Sequence, residues 1–181
     1  MNYLVLIDMQ HDFVDGSLRN EEAIRKIPTI VNKIKNFVSD GITGHIMVTK
    51  DTHGKDYLET LEGKNLPVVH CIKDSLGWEL CLEIEKALRN KNVGFFYKPT
   101  FGSTELAEYF KQNIRHDDTI EICGFCTDIC VISNALLLRA TCPNTPITVD
   151  ASCCAGVTPE LHKAALAVMK SCQIDIINEN E

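Results

Sequence analysis

The chain has 181 residues, 45% of them apolar and 24% charged, with a formal net charge of −7. That length suits one domain with a sizeable core, and an acidic balance without a clustered basic footprint argues against a nucleic-acid partner. No apolar run reaches the roughly 18 residues of a membrane helix, and MNYLVLIDMQ lacks the basic lead of a secretion signal, so a cytoplasmic protein with no membrane partner is expected.

In chain order, YLVLI (3–7) reads as a strand and is followed by a helical pattern through Ile24, Ile27, Ile30, Val31, Ile34 and Phe37. Gly41 and Gly44 punctuate the chain before a second strand, HIMVT (45–49). LPVVH (66–70) reads as a strand, Glu79 to Leu88 as a helix and VGFFY (93–97) as a strand. The pattern continues as helix 104–113, strand TIEICG (119–124), helix 128–140, strand PITVD (146–150), helix 159–170 and strand QIDII (173–177). Such alternation predicts an α/β fold: a three-layer, doubly wound, mostly parallel sheet with helices on both faces. No linker interrupts it, so residues 1–181 read as a single domain.

In sheets of this kind, ligands bind beyond the carboxyl ends of the strands. Asp8 follows the first strand run, Asp51 and His53 the second, and Lys98 follows VGFFY. His70 ends LPVVH and a TDIC turn follows TIEICG, so ionisable groups converge on one edge of the expected sheet.

Nine cysteines, an odd number without a secretion signal, do not suggest a disulfide framework, and most are expected to be buried apolar filling. Three of them fall within ICGFCTDIC (122–130), in the spacing C-x2-C-x3-C. A thioredoxin-like pair would need its first cysteine at a helix start, whereas Cys123 lies in the strand. A ferredoxin-type cluster needs a fourth ligand in loop geometry, where a strand and a helix are expected here. The remaining reading takes Thr127 as an N-cap and Cys130 as a reactive thiol in the first helical turn, where the helix dipole lowers its pKa.

Five pieces in order, LIDMQHDF (6–13), KDTH (50–53), LPVVH (66–70), KPTFGST (98–104) and GFCTDICV (124–131), carry a resemblance that spans nearly the whole chain. The sequence resembles the isochorismatase-like cysteine hydrolase superfamily, and most its nicotinamidase branch. The resemblance implies a catalytic triad of Asp8, Lys98 and Cys130. It further implies a cis peptide between Phe125 and Cys126 that turns the backbone N–H groups of Cys126 and Cys130 toward an oxyanion. The chemistry is coherent: Asp8 as general base, Lys98 as a neighbouring charge, and Cys130 attacking an amide to form a thioester.

Asp51, His53 and His70 offer one carboxylate and two imidazoles, a donor set for zinc, with manganese or iron as alternatives. In the nicotinamidase branch such a trio binds a divalent metal that holds the pyridine nitrogen of the substrate. Many relatives carry a third histidine shortly after the D-x-H pair; this chain has none between His53 and His70. Glu62 is the expected substitute, direct or through water, with Glu59 the weaker candidate. The alternative makes both histidines hydrogen-bonded structural groups.

Phe13 and Phe101 are candidate walls of a slot for a flat ring, or plain core packing. No role follows for Trp78, His11, His45, His116 or His162, and Cys153–Cys154 are expected on a loop as buried structural groups. The resulting expectation is a nicotinamidase acting on a small amide, homo-oligomeric like many relatives. The alternatives are another hydrolase of the family, acting on a carbamoyl or ureido amide or on an uncharacterised small amide, or a non-enzymatic thiol or metal sensor. Isochorismate hydrolysis would leave Cys130 without a task.

Overall fold

The computed structural model describes residues 1–37 and 44–179, so the Gly41 of the expected punctuation lies outside the described residues. Six strands, β1 (Asn2–Ile7), β2 (Gly44–Asp51), β3 (Val93–Lys98), β4 (Thr119–Phe125), β5 (Ile147–Ala155) and β6 (Asp175–Ile177), form one sheet in the order β3-β2-β1-β4-β5-β6. Every neighbouring pair is parallel.

The helices are α1 (His11–Val14), α2 (Glu21–Asn36), α3 (Leu61–Asn65), α4 (Leu82–Leu88), α5 (Thr104–Asn113), α6 (Ile132–Thr141) and α7 (Pro159–Ser171). From β1 the chain steps outward to β3, then returns past β1 and steps the other way to β6. Right-handed crossovers in opposite directions put their helices on opposite faces. Accordingly α2 packs with α4, while α6 packs with both α5 and α7. The predicted three layers are present.

With both faces covered, central strands lose the alternation of a half-exposed sheet. In β1 every residue after Asn2 is buried. Helix α2 starts where Asn20 Oδ1 accepts the N–H groups of Glu22 (2.9 Å) and Ala23 (3.2 Å), and it buries Ala23, Ile27, Ile30 and Ile34. Among the described residues, no helix is long and apolar enough to cross a membrane.

Four local expectations are corrected. LPVVH is a loop, not a strand: the Val68 N–H turns back to Leu66 O (2.8 Å) and Val69 is half exposed. The helix expected from Glu79 begins at Leu82, because Leu80 forms an antiparallel bridge with Gln10 and Cys81 N–H donates to Met9 O (3.0 Å). Strand β5 runs on past Asp150 after a shift in register against β4, so Cys153 and Cys154 lie in the sheet and not on a loop. The segment after β4 opens with a π-helical turn, Thr127–Val131, before α6 begins. Thr127 is not its cap; its hydroxyl pairs with His162 Nδ1 at 2.8 Å.

Candidate active site

Strands β1 and β4 are neighbours, but the connections that follow them leave in opposite directions. Such a reversal opens a crevice at the carboxyl ends of the strands. The approach of β1 to β4 is close: Gly124 sits at φ +137°, and a Cβ there would lie 2.1 Å from Ile7 O. One residue further on, the Phe125–Cys126 peptide bond is cis, as the resemblance implied.

Asp8 leaves β1 in the left-handed region (φ 49°), a conformation that a short polar side chain tolerates better than most. Thr49 on β2 fixes it there: its Oγ1 donates to Asp8 Oδ1 at 2.6 Å and its carbonyl accepts Asp8 N–H at 3.2 Å. Lys98, the last residue of β3, places its Nζ 2.6 Å from Asp8 Oδ2, 3.3 Å from Asp51 Oδ1 and 3.5 Å from Cys130 Sγ. It also donates to Thr100 O at 3.0 Å. Asp8, Lys98 and Cys130 are all buried, at 0%, 1% and 5% exposure.

Burial disfavours the carboxylate of Asp8 and raises its pKa, with Lys98 opposing and Asp51 reinforcing the shift. Burial also works against the charge of Lys98, but Asp8, Cys130 and Asp51 outweigh it and the ammonium is retained. For Cys130 the expectation of a lowered pKa is corrected: burial and the neighbouring Asp8 push the thiol well up, against Lys98. Burial thus favours the thiol form of Cys130 beside a carboxyl of raised pKa, an arrangement suited to passing a proton between the two during reaction.

Next to this trio, ligand atoms of Asp51, His53, Glu62 and His70 all lie within 4.8 Å of one another. Asp51 Oδ2 is 2.9 Å from His53 Nε2 and 3.5 Å from His70 Nε2, and both nitrogens are 3.8 Å from Glu62 Oε1. His70 Nδ1 donates to Val68 O at 2.8 Å, which leaves Nε2 to face Asp51 and Glu62. Burial opposes a charge on the ring, but Asp51 and Val68 O raise its pKa, so a cation there would displace the Nε2 proton. Burial opposes the charge of Asp51, but His53, His70 and Lys98 hold its carboxyl below the usual range. Burial and Asp51 raise the carboxyl of Glu62. Three carboxyl groups (Asp8, Asp51 and Glu62) thus crowd near one ammonium, and a divalent cation bound among Asp51, His53, Glu62 and His70 would favour their charged forms. The donor set fits such an ion, and the loop form of LPVVH is what delivers His70 to it. Glu59, the weaker candidate, is exposed outside this group.

A cavity of about 780 Å³ opens above both clusters, a volume usual for small-molecule sites. Phe13, Leu18, Leu66, Phe101, Ile129 and Val157 give it apolar walls, and Asp51, His70 and Cys130 lie at its base. Phe13 is buried edge-on against His70 (5.7 Å), whereas Phe101 is 44% exposed at the rim. Cys126 lines the cavity too, and its thiol is pushed up to about 12, chiefly by burial. Cys123, Cys153 and Cys154 are buried in the sheet.

The remaining histidines are placed elsewhere: His11 pairs with Asp15, His45 with Asn92 and His116 with Asp117. Trp78 stacks on Tyr97 and carries Lys50 Nζ 3.1 Å from its ring centroid. Two residues of the site were not singled out in the sequence. Thr49 looks like any β-branched strand residue. Gln10 had a signal, a polar residue in the LIDMQHDF piece. Fully buried, it donates to Asp51 O (2.8 Å) and Trp78 O (2.9 Å) and accepts Asp51 N–H (2.7 Å).

The chain and its fold have counterparts among known proteins. The family model described as Isochorismatase domain matches residues 2–181. The chain is 31% identical over 143 residues to the uncharacterized isochorismatase family protein PncA of Bacillus subtilis (strain 168), covering 74% of this chain and 75% of that one. Among solved structures, a pyrazinamidase/nicotinamidase from Streptococcus mutans UA159 superposes with a TM-score of 0.83 at 26% identity, covering 98% of this chain and 100% of that one. The pyrazinamidase of Pyrococcus horikoshii in complex with zinc gives 0.80 at 26% identity, covering 97% and 98%. Matched along nearly its whole length, the chain belongs to the isochorismatase family.

Proposed function

We propose that the protein is a metal-dependent cysteine amidohydrolase, a nicotinamidase that converts nicotinamide and water to nicotinate and ammonia. The observation that carries this reading is the position of Lys98 Nζ, 2.6 Å from Asp8 Oδ2 and 3.5 Å from Cys130 Sγ, below an apolar cavity. The nicotinamidase and pyrazinamidase activities named for the similar structures support the choice of substrate.

In the proposed reaction, the Cys130 S–H proton passes to Asp8 as sulfur bonds to the amide carbonyl carbon. The carbonyl electron pair moves onto oxygen, toward the backbone N–H groups of Cys126 and Cys130 as proposed donors. Asp8 returns the proton to the amide nitrogen, the C–N bond breaks, and ammonia leaves a thioester on Cys130. Asp8 next takes a proton from water, whose oxygen attacks the thioester carbonyl. The C–S bond breaks as Asp8 returns that proton to sulfur. The product forms as the carboxylic acid, which gives its proton to the released ammonia or to solvent and departs as the carboxylate. Lys98 stays charged throughout, holding Asp8 in place and offsetting the negative charge that develops on sulfur.

Asp51, His53 and His70, with Glu62, would hold a divalent cation, zinc in this proposal, supplying a Lewis-acid contact for the ring nitrogen of the substrate. Phe13 and Phe101 would flank that ring. The same reading makes the protein a cytoplasmic, homo-oligomeric enzyme of NAD salvage.

The test is turnover of nicotinamide and pyrazinamide by purified protein with added zinc, manganese or iron, followed as ammonia. Release with both amides is expected. Absence of release with every metal overturns the substrate assignment.

A further inference from the structure

Helix α6 carries a polar side chain at a fully buried position. Asn134 is 1% exposed, on a helix that also buries Ala135 and Leu138. Asparagine is a poor helix former and a costly group to bury, so its amide needs partners to be tolerated there. It has three. Nδ2 donates to Cys130 O at 2.8 Å and to Phe101 O at 3.0 Å, and Oδ1 accepts Ser103 N–H at 2.9 Å.

These partners belong to two segments that pack together at Gly102 and Ser133 but share no backbone–backbone hydrogen bond among the described residues. Cys130 stands in the π-helical turn, where Ile132 N–H reaches back to Thr127 O. A turn widened in this way shifts the usual hydrogen-bond ladder, and such turns are frequent at functional sites. Two successive side chains serve carbonyls of that turn: Ser133 Oγ donates to Ile129 O (2.6 Å), and Asn134 to Cys130 O. Residues 98–103 form the second segment, tied at its start by Lys98 Nζ to Thr100 O and at its end by the amide of Asn134.

We infer that Asn134 is a positioning residue: its carboxamide clamps the turn that carries Cys130 to the segment that carries Lys98 and Phe101. One rigid group thereby sets the distance from the thiol to both its ammonium neighbour and the rim of the cavity. The inference rests on Cys130 being the reactive thiol. A side chain that makes no contact with substrate acts here through geometry, and displacement of a reacting group by about 1 Å costs on the order of 100-fold in rate.

The test compares Asn134→Asp and Asn134→Ala with Ser133→Ala, which loses a bond in the same turn but makes no hydrogen bond to the segment 98–103. Circular dichroism and thermal midpoints report the folded fraction, and rates are expressed per folded molecule. Both Asn134 variants should lose about 10- to 100-fold in kcat/KM for nicotinamide, mainly through kcat. Iodoacetamide modification of Cys130, mapped by peptide mass, should become several-fold faster as the buried thiol is loosened. Ser133→Ala should change both readouts less. Asn134 variants with wild-type kcat/KM and wild-type alkylation would overturn the inference, as would losses that vanish once the folded fraction is taken into account. If the wild-type protein does not turn over nicotinamide, the proposed substrate fails, and the alkylation rates alone then decide for or against the clamp.

Discussion

Replacing Lys98 with methionine keeps the aliphatic stem and removes an ammonium that faces Asp8 Oδ2 at 2.6 Å and Asp51 Oδ1 at 3.3 Å. Removing one partner of a buried ion pair costs about 3–5 kcal/mol, because the other charge stays buried. For a chain of this size each kcal/mol lowers the melting temperature by about 2–4 °C, so metal-free Lys98→Met should melt roughly 6–20 °C lower at neutral pH. Asp8→Asn should cost less, since Lys98 keeps Asp51 and Thr100 O as partners. The two variants also differ in their response to pH. In the wild type Lys98 opposes the upward push of burial and Asp51 on the carboxyl of Asp8; without it the folded-state value rises further. A raised folded-state pKa adds stability that is present below the unfolded value and lost as pH rises through the folded value. The deficit of Lys98→Met relative to wild type should therefore be smaller near about pH 5 than near about pH 8. The difference should be about 1.4 kcal/mol for each pH unit by which the Asp8 value climbs inside that window. Urea unfolding of metal-free protein at both pH values measures this. Equal deficits at the two values, or a loss in Asp8→Asn as large as in Lys98→Met, would refute the reasoning.

At Gly124, alanine would bring a Cβ to 2.1 Å from Ile7 O at φ +137°; a loss of about 3 kcal/mol or more is expected, and an unchanged thermal midpoint would contradict the close β1–β4 approach. Glu62→Gln should weaken zinc binding at least about tenfold in a chelator competition titration, and unaltered affinity would remove Glu62 from the metal group. Asp150 lies 2.6 Å from Lys33 Nζ; burial opposes its charge, but Lys33, Ser152 and Asn178 hold its carboxyl below the ordinary range. That stabilisation is present above the unfolded value and fades as pH falls through the folded one, so Asp150→Asn should be less stable at neutral pH and approach wild type below about pH 4. A gap that does not narrow in acid would show that the ion pair is not its source.

The order of strands and helices was legible because strands buried on both faces read as unbroken apolar runs, of which YLVLI is the clearest. The same property misled at LPVVH, whose apolar residues are half exposed or turn back on themselves, and the error did not move His70 from the site. Asp8, Lys98, Cys130, Asp51, His53 and His70 could be picked out because each follows an expected strand run or belongs to a short motif, whereas Glu62 rested on the resemblance. What escaped depends on neighbours remote in sequence. Thr49 matters only because β2 pairs with β1, and Asn134 only because a π-helical turn brings Cys130 O and Phe101 O to the same amide. The helix start expected at Thr127 drew attention to Cys130, but α6 begins only at Ile132 after a π-helical turn, and the thiol's pKa is raised by burial and by Asp8, which the local sequence does not display.

The most direct test is ammonia release from nicotinamide by the wild-type protein and by Cys130→Ala, matched for zinc content. Release by the wild type and its loss in Cys130→Ala is the predicted result. Equal release from both proteins would contradict the thioester route.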